Sequence, residues 1–77
     1  MNEKRNNESV EEEFIIGNEF ATVVIRKIRM RNGTRLEIFS PRLGHVIRLD
    51  AMELESLTWQ EKSIFSKFLE TPFGPLD

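Results

Sequence analysis

Residues 19–30 carry Thr22, Val23, Val24, Ile25 and Ile28 in one short run. β-Branched side chains are stiff at χ1 and pack best on a pleated, half-buried surface, so this run is expected to be a strand. Arg31-Asn32-Gly33-Thr34 follows, and then Arg35-Leu36-Glu37-Ile38-Phe39, which together have the pattern of a hairpin. The loop length decides which side chains share a face. A two-residue loop at Asn32-Gly33 sets Ile28 opposite Glu37 and Leu36 opposite Arg29, so apolar side chains meet charges. A three-residue loop, Arg31-Asn32-Gly33, pairs Met30 with Thr34 and Ile28 with Leu36. It also puts Gly33 where a left-handed residue is needed. The three-residue loop is the expectation.

The long strand has a phase problem. Met30 and Ile28 lie on one parity and Ile25 and Val23 on the other, so a bulge at Arg26-Lys27 is expected to bring all four inward. Ser40-Pro41-Arg42-Leu43-Gly44 reads as the next turn, and His45-Val46-Ile47-Arg48-Leu49 as a third strand. Past Leu49 the period changes. Asp50 and Glu53 form a capping box, with Leu49 and Leu54 as its hydrophobic staple, and start a short helix over residues 51–56. Thr58 and Glu61 suggest a second box. The helix expected from Trp59 to about Leu69 places Ile64, Phe65, Phe68 and Leu69 on one face, with Trp59 packed on the sheet as a cap. Thr71-Pro72 ends it.

Before Phe14 the chain is rich in Asn and Glu, with Val10 its one apolar residue after Met1. Such a segment buries too little apolar area to offset its ordering entropy. The expected organisation is a disordered acidic tail over 1–13, a single small domain over 14–72 that opens on Phe14-Ile15-Ile16 and a turn at Gly17-Asn18, and a C-terminal tail over 73–77. The fold class is α+β: a three-stranded antiparallel β-meander with a C-terminal helix packed on one face.

Composition limits the chemistry. The chain has no Cys and one His, which removes disulfides, iron–sulfur clusters, thiolate sites, a Cys nucleophile and a His-based zinc site. Glu11-Glu12-Glu13 and Glu53/Glu55 are close carboxylates that do not converge on a point, so no metal site is expected. His45 has no orienting carboxylate in the sequence, and each Gly is explained by a turn, so no catalytic residue and no cofactor-binding loop is assigned. An enzyme acting alone is not expected. No apolar run approaches the ~18 residues of a membrane span, so no membrane partner is expected and a cytoplasmic location is the default.

The net charge of −2 hides a segregation along the chain. Residues 1–19 and 50–77 are each −4, and residues 20–49 are +6. Arg26, Lys27, Arg29, Arg31, Arg35, Arg42, His45 and Arg48 are the candidate binding surface, and Gly33, Trp59, Phe65 and Phe68 the candidate structural residues. A basic sheet could meet phosphates in a nucleic-acid groove. The pI of about 5.4 opposes that reading, and strands whose outward charges pair with acidic segments are the simpler one. Apolar groups on both parities of the first strand, in a chain of 77 residues, favour a homodimer or a protein partner that supplies more core.

Asn18-Glu19-Phe20-Ala21-Thr22-Val23, Arg31-Asn32-Gly33-Thr34-Arg35-Leu36-Glu37-Ile38, Ser40-Pro41-Arg42-Leu43-Gly44, Leu54-Glu55-Ser56-Leu57-Thr58-Trp59-Gln60 and Phe68-Leu69-Glu70-Thr71-Pro72-Phe73-Gly74-Pro75 together resemble a family of small bacterial proteins labelled dihydrodiol dehydrogenase. The resemblance spans residues 18–75. It implies NAD(P)-dependent oxidation of a diol, or an accessory place beside such an enzyme. The chain departs from a dinucleotide-binding protein in having no Gly-rich loop and no βαβ unit. The leading expectation is a non-enzymatic interaction or accessory protein, with nucleic-acid binding as the alternative and a diol-oxidoreductase component as the second alternative.

Overall fold

The computed structural model describes residues 8–70. Four strands, β1 (Ser9–Gly17), β2 (Thr22–Met30), β3 (Gly33–Ser40) and β4 (His45–Leu49), form one antiparallel sheet in the order 1-2-3-4. Two short helices follow, α1 (Ala51–Leu57) and α2 (Ile64–Phe68). The fold is thus α+β around an antiparallel meander, with one more strand than expected. The added strand corrects the boundary of the acidic tail: Ser9–Glu13 are strand, and residues 1–7 lie outside the described residues. Val10 and Glu11–Glu13 are held in place by what lies opposite them on β2, namely Ile28 and a row of cations.

Local chemistry explains the turns. Asn18 Oδ1 accepts from the backbone N–H groups of Phe20 (2.8 Å) and Ala21 (2.9 Å), closing the β1–β2 loop as an Asx turn. In the β3–β4 loop Gly44 donates to the Ser40 carbonyl at 2.7 Å with φ +78°, where a side chain is penalised.

The β2–β3 hairpin differs from both registers read in the sequence. Met30 pairs with Gly33 across a two-residue loop, Arg31-Asn32, and Gly33 has φ +123°. The pairs near the loop mix charge with carbon: Ile28 faces Arg35 and Lys27 faces Leu36. The pairs farther away account for the register, because Arg26 meets Glu37, Ile25 meets Ile38 and Val24 meets Phe39. A slip to the three-residue loop would set Arg26 against Ile38 and Val24 against Ser40, and would move Glu37 opposite Lys27 and onto the other face, away from Arg26. The expected bulge also lies elsewhere. The β2–β3 pairing runs unbroken, and the irregularity falls on β1 between Val10 and Glu12.

Paired residues share a face, which assigns the two sides of the sheet. One, termed the ladder face, carries Arg26 and Ile28; the other, the helix face, carries Ile25 and Lys27. Each has one β2 isoleucine as its floor, Ile28 at 2% exposure and Ile25 at 7%. Helix α1 starts as expected: Asp50 accepts from the Glu53 N–H at 2.8 Å and Glu53 accepts from the Asp50 N–H at 2.9 Å. Its Ala51 and Leu54 border a groove of about 250 Å³ with Lys27, Thr34 and Leu36 of the helix face. The second expected capping box is absent. Thr58 instead closes α1, its hydroxyl donating to the Glu55 carbonyl at 2.7 Å. The second helix is accordingly short, and Trp59 stays exposed outside it. Phe65 and Phe68 meet edge to face, with ring centroids 5.3 Å apart. Both remain largely exposed, so they are not the sheet-packing residues that their spacing suggested. The end of that helix at Thr71-Pro72 and the tail over 73–77 lie outside the described residues.

Candidate interaction surface

The expected basic surface does not assemble on one side. Arg26, Arg35 and Arg48 belong to the ladder face, Lys27, Arg29 and His45 to the helix face, and Arg31 and Arg42 to the two loops. Several of these cations are engaged by carboxylates of residues 8–13, a segment expected to be part of a disordered tail. Glu11, the extra residue at the β1 bulge, accepts from Arg29 Nε at 2.8 Å and lies 3.7 Å from Lys27 Nζ. The Arg29 hydrogen bond chiefly holds its carboxyl below the ordinary value, with the charges of Arg29 and Lys27 adding to it.

On the ladder face, one residue from each strand builds a row of alternating charge: Glu13, Arg26, Glu37 and Arg48. Arg26 Nε lies 3.3 Å from Glu13 Oε2, and its Nη1 lies 3.5 Å from Glu37 Oε1. Arg48 Nε donates to Glu37 Oε2 at 2.9 Å, and its Nη1 donates to Glu8 Oε2 at 2.9 Å. Glu37 is 6% exposed, a burial a carboxylate tolerates when it is paired and hydrogen-bonded on both oxygens. Hydrogen bonds from Arg48 to Glu8 and then to Glu37 raise the Arg48 guanidinium above its ordinary value. The Glu8–Arg48 pair ties the segment entering β1 to β4, the opposite edge of the sheet.

Two residues along each strand lies a second row on the same face: Ile15, Val24, Phe39 and Val46. Its central members are half-buried. Its outer members are open, Ile15 at 67% and Val46 at 57% exposure. The helices lie toward the other side: α1 borders Leu36 and Lys27, and Leu69 borders Val23 and Ser40. No described element covers this apolar row. Phe14, Ile16 and Ile47 are also exposed at the same end of the sheet.

Sequence reasoning missed both rows because β1 was missing from it. The signal that could have found them is the residue pattern of the four strands taken together, which places an acid, a base, an acid and a base in successive strands. Among the described residues no group of three or more His, Asp or Glu side chains could hold a metal ion. Nor is any described helix long and apolar enough to cross a membrane. No family model, curated protein or solved structure matches this chain.

Proposed function

We propose that this chain is a non-enzymatic interaction protein that acts by docking its open sheet face on another protein surface, a second copy of itself included. The observation that carries the reading is the apolar row Ile15–Val24–Phe39–Val46, which crosses all four strands with no described element over it. Full burial of a Val or Ile side chain is worth about 1.5–3 kcal/mol, and the exposed outer members collect only part of it within one chain. Monomers seldom leave a contiguous apolar patch open without a use for it. The dispersal of the basic residues over two faces and two loops, with many of them engaged by Glu side chains, weighs against the nucleic-acid alternative.

The test is hydrodynamic mass, both for the purified chain across a wide concentration range and for the tagged chain in extracts of its source cell, beside an Ile15→Arg/Val46→Arg variant. The parent is expected in assemblies heavier than 9.1 kDa, insensitive to moderate salt, and the variant alone. A parent that runs alone everywhere overturns the reading. Binding to nucleic acid that falls steeply with salt would replace it with the alternative.

A further inference from the structure

We infer that the outer edge of β1 is a further docking surface, and that its occupant is the same edge of a second copy of this chain, joined as one antiparallel sheet about a two-fold axis normal to it. This goes beyond the face reading above and does not rest on it. β1 and β4 are the two edges of the sheet, and an edge leaves a row of backbone N–H and C=O groups without a strand partner. The two edges are guarded differently. β4 is 5 residues long, carries Arg48, and passes through Asp50 into α1. β1 is 9 residues long, and its guards, the bulge between Val10 and Glu12 and the acids Glu11–Glu13, all lie toward its start. Its second half, Phe14-Ile15-Ile16-Gly17, has no charge, no Pro and no bulge. Phe14, Ile15 and Ile16 are 49%, 67% and 59% exposed, so carbon is open on both faces of the strand at that end.

Few registers are open to such a pair. A two-fold axis normal to the sheet sets one residue of β1 against its own copy, then each neighbour against the neighbour on the other side, with every residue kept on its face. Centred on Glu12 or Glu13, the axis sets Glu against Glu, and like charges directly opposite are destabilising. Centred on Phe14, it pairs Glu13 with Ile15 and Glu12 with Ile16. Centred on Ile16, it leaves Phe14 opposite Asn18 of the turn. Only the axis on Ile15 pairs Ile15 with Ile15 and Phe14 with Ile16, carbon on carbon on both faces. Glu13 then meets the partner's Gly17, which has no side chain to disturb the Glu13–Arg26 pair, and Glu12 meets the uncharged Asn18. The two sheets become one, and the rows Ile15–Val24–Phe39–Val46 of both copies join at Ile15. Pairing β1 with the partner's β4 would also join two edges, but that contact does not close and goes on adding copies.

Because the chain has no Cys, single cysteines report the arrangement. Facing residues of an antiparallel pair have Cα atoms ~4.5–5.5 Å apart, inside the ~4.4–6.8 Å span of a disulfide. Ile15→Cys is therefore expected to oxidise to a covalent dimer at least ~10-fold faster than Val46→Cys, which is similarly exposed but lies at the far edges of the joined sheet. The sedimenting mass of the purified parent is expected to rise with concentration from 9.1 kDa toward twice that value. Ile15→Lys sets two cations face to face on the axis, and is expected to stay at 9.1 kDa while keeping the parent's circular dichroism. Val46→Arg alters the open face and not this edge, and is expected to keep the dimer. A parent of 9.1 kDa at every concentration, or equal oxidation of the two cysteine variants, overturns the edge pairing. A dimer lost in Val46→Arg and kept in Ile15→Lys moves the contact to the face and overturns it as well. If the chain is alone when pure yet found in heavier assemblies in extracts, the face reading stands without the edge.

Discussion

On one face of one sheet, two rows lie side by side, built from the same four strands two residues apart. The charged row is complete within a single chain: Glu37 is buried with a guanidinium at each oxygen, and Glu8 reaches across to close on Arg48. The apolar row is incomplete, with half-buried centres and exposed ends. The difference lies in what each kind of interaction requires. A buried carboxylate is costly unless its partners stand at fixed distance and angle, so the chain must supply them itself. An apolar side chain needs only water removed from it, which any complementary surface can do. Specific geometry is therefore held within the chain, and area is left to be gained by association.

The largest effect should come from the floor of the charged end. Ile28→Ala removes carbon from a site at 2% exposure, and such truncations cost about 2–5 kcal/mol. In so small a domain that is a large share of the total stability, and the urea midpoint should fall sharply. A midpoint unchanged from the parent would mean that the charged end is not the structural centre. Next comes Glu37→Ala, which leaves Arg26 and Arg48 facing a void. Breaking a buried pair costs about 3–5 kcal/mol, and the lower end applies here because both arginines keep some water. Double-mutant cycles with Arg48→Ala should show coupling between the two sites. Additive losses would show that the row is decoration rather than a network.

The parts of this molecule that were legible from the sequence are those set by local chemistry. The strand character of β2, β3 and β4, the Pro41–Gly44 turn and the Asp50–Glu53 cap each follow from residues within a few positions of one another. What was hidden depends on residues far apart. Glu11 and Glu13 read as a solvated acidic tail until Arg26, Lys27 and Arg29 stand opposite them, and those partners are 13 to 18 residues away. The hairpin register was judged from Ile28 and Leu36 beside the loop. In the observed register Glu37 stands between Arg26 and Arg48, both 11 residues from it in the chain, where the expected one pairs it with Lys27. The Ile64, Phe65, Phe68 and Leu69 spacing suggests a core-facing helix and Trp59 a cap on the sheet, yet Trp59, Phe65, Phe68 and Leu69 stay exposed, and the sheet keeps its own isoleucines as core. The basic residues were legible as a group and misleading as a surface, because alternation along a strand sends neighbours to opposite faces.

Smaller effects separate the two rows further. Gly33 holds φ +123° beside the loop, and a Cβ there would also meet Arg35 Nη1 at 3.4 Å. Gly33→Ala should cost about 1 kcal/mol or more, read as a lowered urea midpoint. A parent-like midpoint would show that the backbone relaxes to another turn. Acid should then reveal the β1 carboxylate that faces the helix-face cations Lys27 and Arg29. The Glu11 carboxyl titrates below its ordinary value of 4.5 through its bond to Arg29, so it favours the folded state above that value. Its contribution is lost as pH falls through the lowered one. Stability measured from neutral pH downward should therefore decline beginning near that ordinary value, and Glu11→Gln should make the decline shallower. An unaltered acid limb would remove Glu11 from the account.

The smallest expected change in monomer stability is at the incomplete row, and it tests the comparison most directly. Ile15 and Val46 are open to water in a single chain, so Ile15→Thr/Val46→Thr keeps β-branching on both edge strands and removes little buried carbon. At low protein concentration the double variant should melt within about 0.5 kcal/mol of the parent, as surface substitutions do. Raising the concentration should part them. Association of folded chains stabilises the native state by mass action, so the parent's Tm should climb with concentration while the variant's stays flat. The same two curves for Glu37→Ala should show the opposite pattern, with the whole loss already present at the lowest concentration. If the double variant is strongly destabilised when dilute, the apolar row is part of the monomer's core and the contrast between the two rows fails. If both Tm curves are flat, nothing is gained by covering the row with a second copy, and its occupant must be sought among other proteins.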